Sequence, residues 1–88
     1  GLIGLTKGLA HDLAEYGVTV NCVVPGLIDT VRVAGSSVMP ANHKASRTLV
    51  GRLGAPGDIA AAVRYLAGPG ARYVTGQTIH VNGGAYLG

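Results

Sequence analysis

The sequence contains no Phe and no Trp, only one cysteine, and few charges: charged residues make up 12% of its 88 residues. Each scarcity excludes something. A single thiol, Cys22, cannot close an internal disulfide, and no metal-ligand spacing surrounds it, so neither a disulfide scaffold nor a zinc module is expected. Cys22 lies in an apolar run, where a buried inert thiol is the expectation, and a reducing, cytoplasmic setting goes with it. His11, His43 and His80 also lack any mutual spacing that would suggest a metal site. The net charge of +3 comes from seven scattered basic residues, with neither a basic stripe nor interleaved aromatics, and no nucleic-acid partner is expected. The apolar runs are too short to span a bilayer, so no membrane partner is expected. The opening GLIGLTKGLAHDLA is charged and helically periodic, unlike a signal peptide.

What is plentiful is apolar surface and glycine. Hydrophobic residues reach 48%, with 15 glycines and a mean hydropathy of +0.37. That is too apolar for a disordered tail and unusually apolar for a small solitary domain, whose surface needs charge. The excess fits a piece of a larger core, or a protomer that buries faces against its own copies. Chains this short hold one small domain at most.

Leu2, Leu5, Leu9 and Leu13 recur at steps of three and four, one stripe of a helix, with Gly17 as its stop. The stripe is already running at Leu2 with no cap before it, which reads as a helix entered partway. Gly4 and Gly8 sit one turn apart in it, each costing about 1 kcal/mol of helix propensity, and the compensation expected is close approach of another backbone. Val18 to Val24 is a β-branched run closed by Pro25-Gly26, a strand apolar on both faces and therefore buried and parallel. Between Leu27 and Gly54 the pattern dissolves into a loop, with a short helix expected from Lys44 to Val50. Pro56 opens a second helix with Asp58 in its first turn and Ile59, Val63 and Leu66 on one face; Gly68-Pro69-Gly70 ends it. Thr75 to Val81 is a second strand, closed by an Asn82-Gly83-Gly84 turn. Strand–helix–strand of these lengths is a parallel crossover unit. Two parallel strands have open edges and bare faces, so other sequence or other copies must complete the sheet.

Four blocks in order resemble the short-chain dehydrogenase/reductase family: GLIGLTKGLAHDLAEYG, VTVNCVVPGLIDT, RLGAPGDIAAAVRYLAG and YVTGQTIHVNGG. The first is similar to the family's helix that continues from a catalytic Tyr-x-x-x-Lys; the others are similar to its VNxVxPGxxxT, RxGxPEEIAxAVxFLAS and YxTGxxxxVDGG stretches. The ending TGQTIHVNGGAYLG is most similar to the ketoacyl-carrier-protein reductase branch. The resemblance implies an α/β fold, the C-terminal part of a Rossmann-type doubly wound parallel sheet, with residues 1–88 forming that portion of a single domain. It implies an NAD(P)-dependent oxidoreductase, with NAD or NADP as cofactor, that moves hydride between nicotinamide and a carbonyl or alcohol substrate, an acyl chain among the candidates. It places the family's catalytic Lys just before Gly1, with the catalytic Tyr, Ser and the glycine-rich dinucleotide loop further upstream, so no catalytic residue is expected here and the chain alone is expected to be inactive. No GxGxxG is present to replace that loop.

By the same resemblance the cofactor-binding residues are Pro25, Gly26, Ile28 and Thr30. Pro25 and Gly26 let the backbone pass beneath the nicotinamide, the Ile28 backbone pairs with the carboxamide, and the Thr30 hydroxyl bonds to the carboxamide or pyrophosphate. Such a loop lies outside the carboxyl end of a parallel strand, where open α/β sheets bind ligands. Val31 to Val50 corresponds to the family's substrate-covering segment, in which Val33, Val38 and Met39 either line an acyl pocket or pack the loop down. His43 and Lys44 read as solvated loop charges. Asn21, Arg52 and Asp58 read as structural: a tie to a neighbouring loop, a loop anchor and a first-turn acid.

A homo-oligomer is expected, since the family's C-terminal elements build subunit interfaces. The alternative is a non-catalytic, self-associating α/β module. A hydrolase built from Ser36 or Ser37 with His43 and Asp58 lacks a nucleophile-elbow motif.

Overall fold

A computed structural model describes residues 1–28 and 45–88. Helix α1 (Leu2–Leu13) passes through a 3-10 turn, Ala14–Tyr16, and stops at Gly17, whose φ of 72° ends it in the left-handed conformation. Strand β1 (Cys22–Pro25) follows, then the 3-10 turn Ala45–Arg47, helix α2 (Pro56–Ala67), a further 3-10 turn Pro69–Ala71, and strand β2 (Thr78–Val81). The two strands lie side by side and parallel, pairing Cys22 with Thr78 and Pro25 with Val81 at the two ends. Pro56 opens α2 and Gly68 closes it, as their backbone preferences dictate. The short helix expected from Lys44 is a single 3-10 turn from Ala45; Lys44 lies outside the described residues.

Regular pairing starts later than the β-branched runs suggest, because the chain segments before it are joined by side chains. The Val20 amide donates to Thr75 Oγ1 (3.0 Å), Asn21 Nδ2 donates to the Val74 carbonyl (3.0 Å), and the Gln77 amide donates to Asn21 Oδ1 (3.1 Å). Gly76, at φ 70°, bends the chain so that its amide reaches the Val20 carbonyl at 2.7 Å. An L side chain rarely tolerates that conformation. Asn21 is thus the tie to a neighbouring loop that its place in an apolar run suggests. Beyond it the ladder runs with period two. Val23 faces Val63, Leu66 and Ala67 of α2, and the alternate residue Cys22 points to the other side, where it is a buried free thiol.

The core is thin. Ala10, Cys22, Ile28 and Ala71 are its buried apolar residues, and among the described residues no large side chain is completely enclosed. The leucine stripe of α1 does not serve it: Leu2, Leu5 and Leu9 stay 65%, 57% and 38% exposed, while the small residues Thr6 and Ala10 face inward. Nor does any backbone among the described residues approach Gly4 or Gly8, where an added Cβ meets none of their atoms within 4 Å. The close approach expected at these glycines is therefore not made within the described residues. Among those residues no helix is long and apolar enough to cross a membrane.

Candidate functional site

The parallel register brings two carboxyl ends together. Pro25 ends β1 beside Val81, and one residue on, the Gly26 amide donates to the Val81 carbonyl at 3.1 Å. Proline has no amide to contribute, so the strand-end position suits it. Gly26 then lies directly against Asn82: a Cβ on Gly26 would stand 2.7 Å from Asn82 Cα, with Asn82 Cβ closer still. No other residue fits. The reason for glycine at this place is its neighbouring strand, whether or not a ligand also comes close.

Asn82 is held from its other side. Its Oδ1 accepts from the Gly84 amide (2.9 Å), its Nδ2 donates to the Tyr86 carbonyl (2.8 Å), and its carbonyl accepts from Ala85 N (3.0 Å). The Gly83 carbonyl accepts from both Leu49 N and Val50 N, at 2.8 and 3.0 Å, fastening this turn to the segment before α2. That segment is knotted around Thr48, a buried hydroxyl 2.9 Å from both the Ala45 and Arg52 carbonyls, which also accepts from Gly51 N at 3.1 Å. Buried hydroxyls need such partners.

A further tie runs through Gly54. Its amide donates to the Leu27 carbonyl (2.9 Å), and Gly54 forms a parallel bridge with Ile28, which is buried. In a bridge bonded this way, the N–H and C=O of Ile28 point away from Gly54. Residues 52–55 in turn close around Asp58. Arg52 forks onto it, Nη1 to Oδ2 at 2.8 Å and Nη2 to Oδ1 at 3.1 Å, and Ala55 N donates to Oδ2 at 2.7 Å. The Arg52 hydrogen bonds, then the Ala55 amide, lower the Asp58 carboxyl to about 2; the same pairing raises the Arg52 guanidinium. Both structural readings from the sequence, Arg52 as loop anchor and Asp58 as helix-start acid, describe one clasp.

Pro25, Gly26, Leu27 and Ile28 therefore form a ledge pinned from two sides and flanked by two hollows. A cavity of about 440 Å³ is lined by Val24, Pro25, Gly26, Arg47, His80 and Tyr86; a smaller cleft of about 190 Å³ is lined by Ile28, Arg52, Gly54, Asp58 and Gly83. Leu27 and Asn82 border both. Of the four residues expected to contact a cofactor, Pro25, Gly26 and Ile28 are brought together here. Thr30 lies outside the described residues, as do Val33, Ser36, Ser37, Val38, Met39, His43 and Lys44. Sequence reasoning missed Thr48 and the wall formed by Asn82. The signal for Thr48 was a hydroxyl three residues before Gly51; Asn82 was visible only as a turn residue.

A family model described as enoyl-(acyl carrier protein) reductase matches residues 1–86. Among curated proteins, 3-oxoacyl-(acyl-carrier-protein) reductase FabG of Vibrio cholerae is 46% identical over 87 residues, and that of Escherichia coli is 45% identical. Both alignments cover 99% of this chain and 36% of the relative, so the chain spans about a third of the length of the proteins it matches. Among solved structures, a variant of a Serratia marcescens short-chain dehydrogenase/reductase superposes with a TM-score of 0.82 at 40% identity, over 98% of this chain and 35% of the other. A blue fluorescent protein from a metagenomic library, in complex with NADPH, gives a TM-score of 0.82 at 38% identity, over 98% of this chain and 34% of its own.

Proposed function

The chain belongs to the short-chain dehydrogenase/reductase family, and we propose that it is the carboxyl-terminal portion of a Rossmann-type NAD(P)-dependent oxidoreductase, contributing the ledge on which the nicotinamide rests. The observation that carries this reading is the exit of β1, where the bond from Gly54 to Leu27 and the bridge to Ile28 turn the backbone polar groups of Ile28 away from Gly54. These residues fit a flat amide-bearing ring. Pro25 and Leu27 offer apolar flanks, the Ile28 N–H and C=O offer a donor and an acceptor to a carboxamide, and Thr30, two residues on in the sequence, would add a hydroxyl. When bound, the nicotinamide supplies hydride exchange with a carbonyl–alcohol pair. The ledge orients the ring so that one face meets the substrate, which is positioning rather than bond-making.

The relatives support a substrate class. FabG proteins are named for reduction of a 3-oxoacyl group, a ketone, whereas the matching family model is named for an enoyl group, a carbon–carbon double bond. The identity of 45% and more to the former supports a ketone–alcohol pair on an acyl chain. The family's Ser, Tyr and Lys have no counterpart in these 88 residues, so the chain by itself carries out no turnover. A reducing, cytoplasmic setting suits the single buried thiol of Cys22.

Fluorescence titration of reduced NAD or NADP into the full-length protein that carries this chain tests the reading. Saturable binding by that protein, with no turnover by the 88-residue chain, is expected; absence of binding contradicts it.

The exposed leucines of α1 favour a second property, self-association. Leu2, Leu5 and Leu9 present an apolar face on a chain with few charges, and a homo-oligomer would cover it. As a module without chemistry, the 88-residue chain would sediment as a dimer or larger; a folded monomer at low concentration counts against that.

A further inference from the structure

We infer that Asp58 is a positioning residue for the nicotinamide ring, acting through Arg52, Gly54 and the backbone of Leu27 and Ile28. The inference rests on the ledge holding that ring. One carboxylate gathers residues 52–55: it takes both prongs of the Arg52 fork and the Ala55 amide, while Arg52 Nη1 also donates to the Leu53 carbonyl at 3.1 Å. Gly54 lies inside that closed loop and is the residue that bonds the ledge, its amide on the Leu27 carbonyl and its backbone paired with Ile28. The carboxylate is near this joint, since a Cβ on Gly54 would stand 3.8 Å from Asp58 Oδ2. The path from Asp58 to Ile28 therefore runs through short, directed bonds.

Two features argue that the clasp aims the ledge rather than stabilises the fold. First, the pair is exposed, with side chains at 61% for Arg52 and 35% for Asp58, where ion pairs contribute little to folding. Second, a first-turn acid needs only the Ala55 amide. The two-pronged geometry to Arg52 adds orientation, which a fork supplies and a point charge does not.

The test uses the full-length protein with two variants and two probes. Asp58→Asn keeps the shape and an acceptor for Ala55 N but weakens the fork; Arg52→Lys keeps the charge and removes the fork from the other side. The probes are reduced NAD(P) and the matching adenosine-half nucleotide, which lacks the nicotinamide. Each variant is expected to bind the whole cofactor about tenfold more weakly, the scale of one weakened hydrogen bond to the carboxamide. Binding of the adenosine-half nucleotide stays unchanged, and the unfolding midpoint moves only by the small contribution of an exposed pair. Equal weakening of both probes, or none, overturns the inference while leaving the ledge reading intact. A wild-type protein that binds the adenosine half but gains nothing from the nicotinamide overturns both. If Asp58→Asn does not fold, Arg52→Lys carries the same comparison.

Discussion

The glycines of α1 and the glycine that ends β1 make opposite demands on the chain. Around Gly4 and Gly8 an added methyl group meets nothing within 4 Å, and the leucines beside them face outward. At Gly26 the same methyl group collides with Asn82, and the backbone is bonded from two sides, the Gly26 amide to Val81 of β2 and the Leu27 carbonyl to Gly54 inside the Arg52–Asp58 clasp. One region is tightly bonded among the described residues; the other presents a helix whose leucine face those residues leave uncovered. The rim that would meet a cofactor is built locally, whereas the surface that would hold a larger assembly together is left for something else to cover.

The sharpest way to break this contrast is substitution at the glycines themselves. Gly26→Ala forces Asn82 and its turn to move, and overpacking of this kind costs about 1–3 kcal/mol. Chemical denaturation of the full-length protein should show a loss in that range; an unchanged midpoint would mean that the Gly26–Asn82 contact is not as tight as described. Next in size is Asn21→Ala, which removes a donor to Val74 and an acceptor for Gln77 where the strands begin to pair. A loss of about 1–2 kcal/mol is expected in the same assay.

Gly4→Ala and Gly8→Ala should act in the other direction, stabilising α1 of the 88-residue chain by up to about 1 kcal/mol each, read by circular dichroism as a gain in helix content. In the full-length protein the same two changes discriminate further. A gain there means that the α1 face stays open, and a loss means that another backbone closes on it. The smallest effect concerns acid. The Asp58 carboxyl is held at about 2, below the usual carboxylate range, so the clasp contributes stability at neutral pH that is lost as pH falls from about 4 toward 2. Asp58→Asn should remove that part of the acid limb, and an unchanged acid profile would mean that the pairing is not made in solution. Because the pair is exposed, screening keeps the effect small.

Much of this molecule can be read from its letters, for identifiable reasons. Gly17 and Pro56 punctuate the helices because glycine alone adopts a left-handed φ freely and proline's φ is fixed, and Val18 to Val24 reads as a strand because β-branching and a closing Pro-Gly coincide. The onset of pairing could not be read, since it depends on Asn21 and Thr75 meeting residues more than fifty positions away. The direction of the α1 leucines could not be read for a different reason: periodicity shows that a helix has an apolar face but not what the face meets. The site was half legible. Pro25, Gly26 and Ile28 follow from resemblance, yet the wall supplied by Asn82 appears only once the Pro25–Val81 register is known.

A crystal structure of the full-length protein with NADP or NAD bound would decide the central point. The nicotinamide should lie over Pro25 and Gly26, its carboxamide within hydrogen-bond distance of the Ile28 backbone. A ring seated away from that strand exit, with Ile28 bonded only to protein, would contradict the assignment.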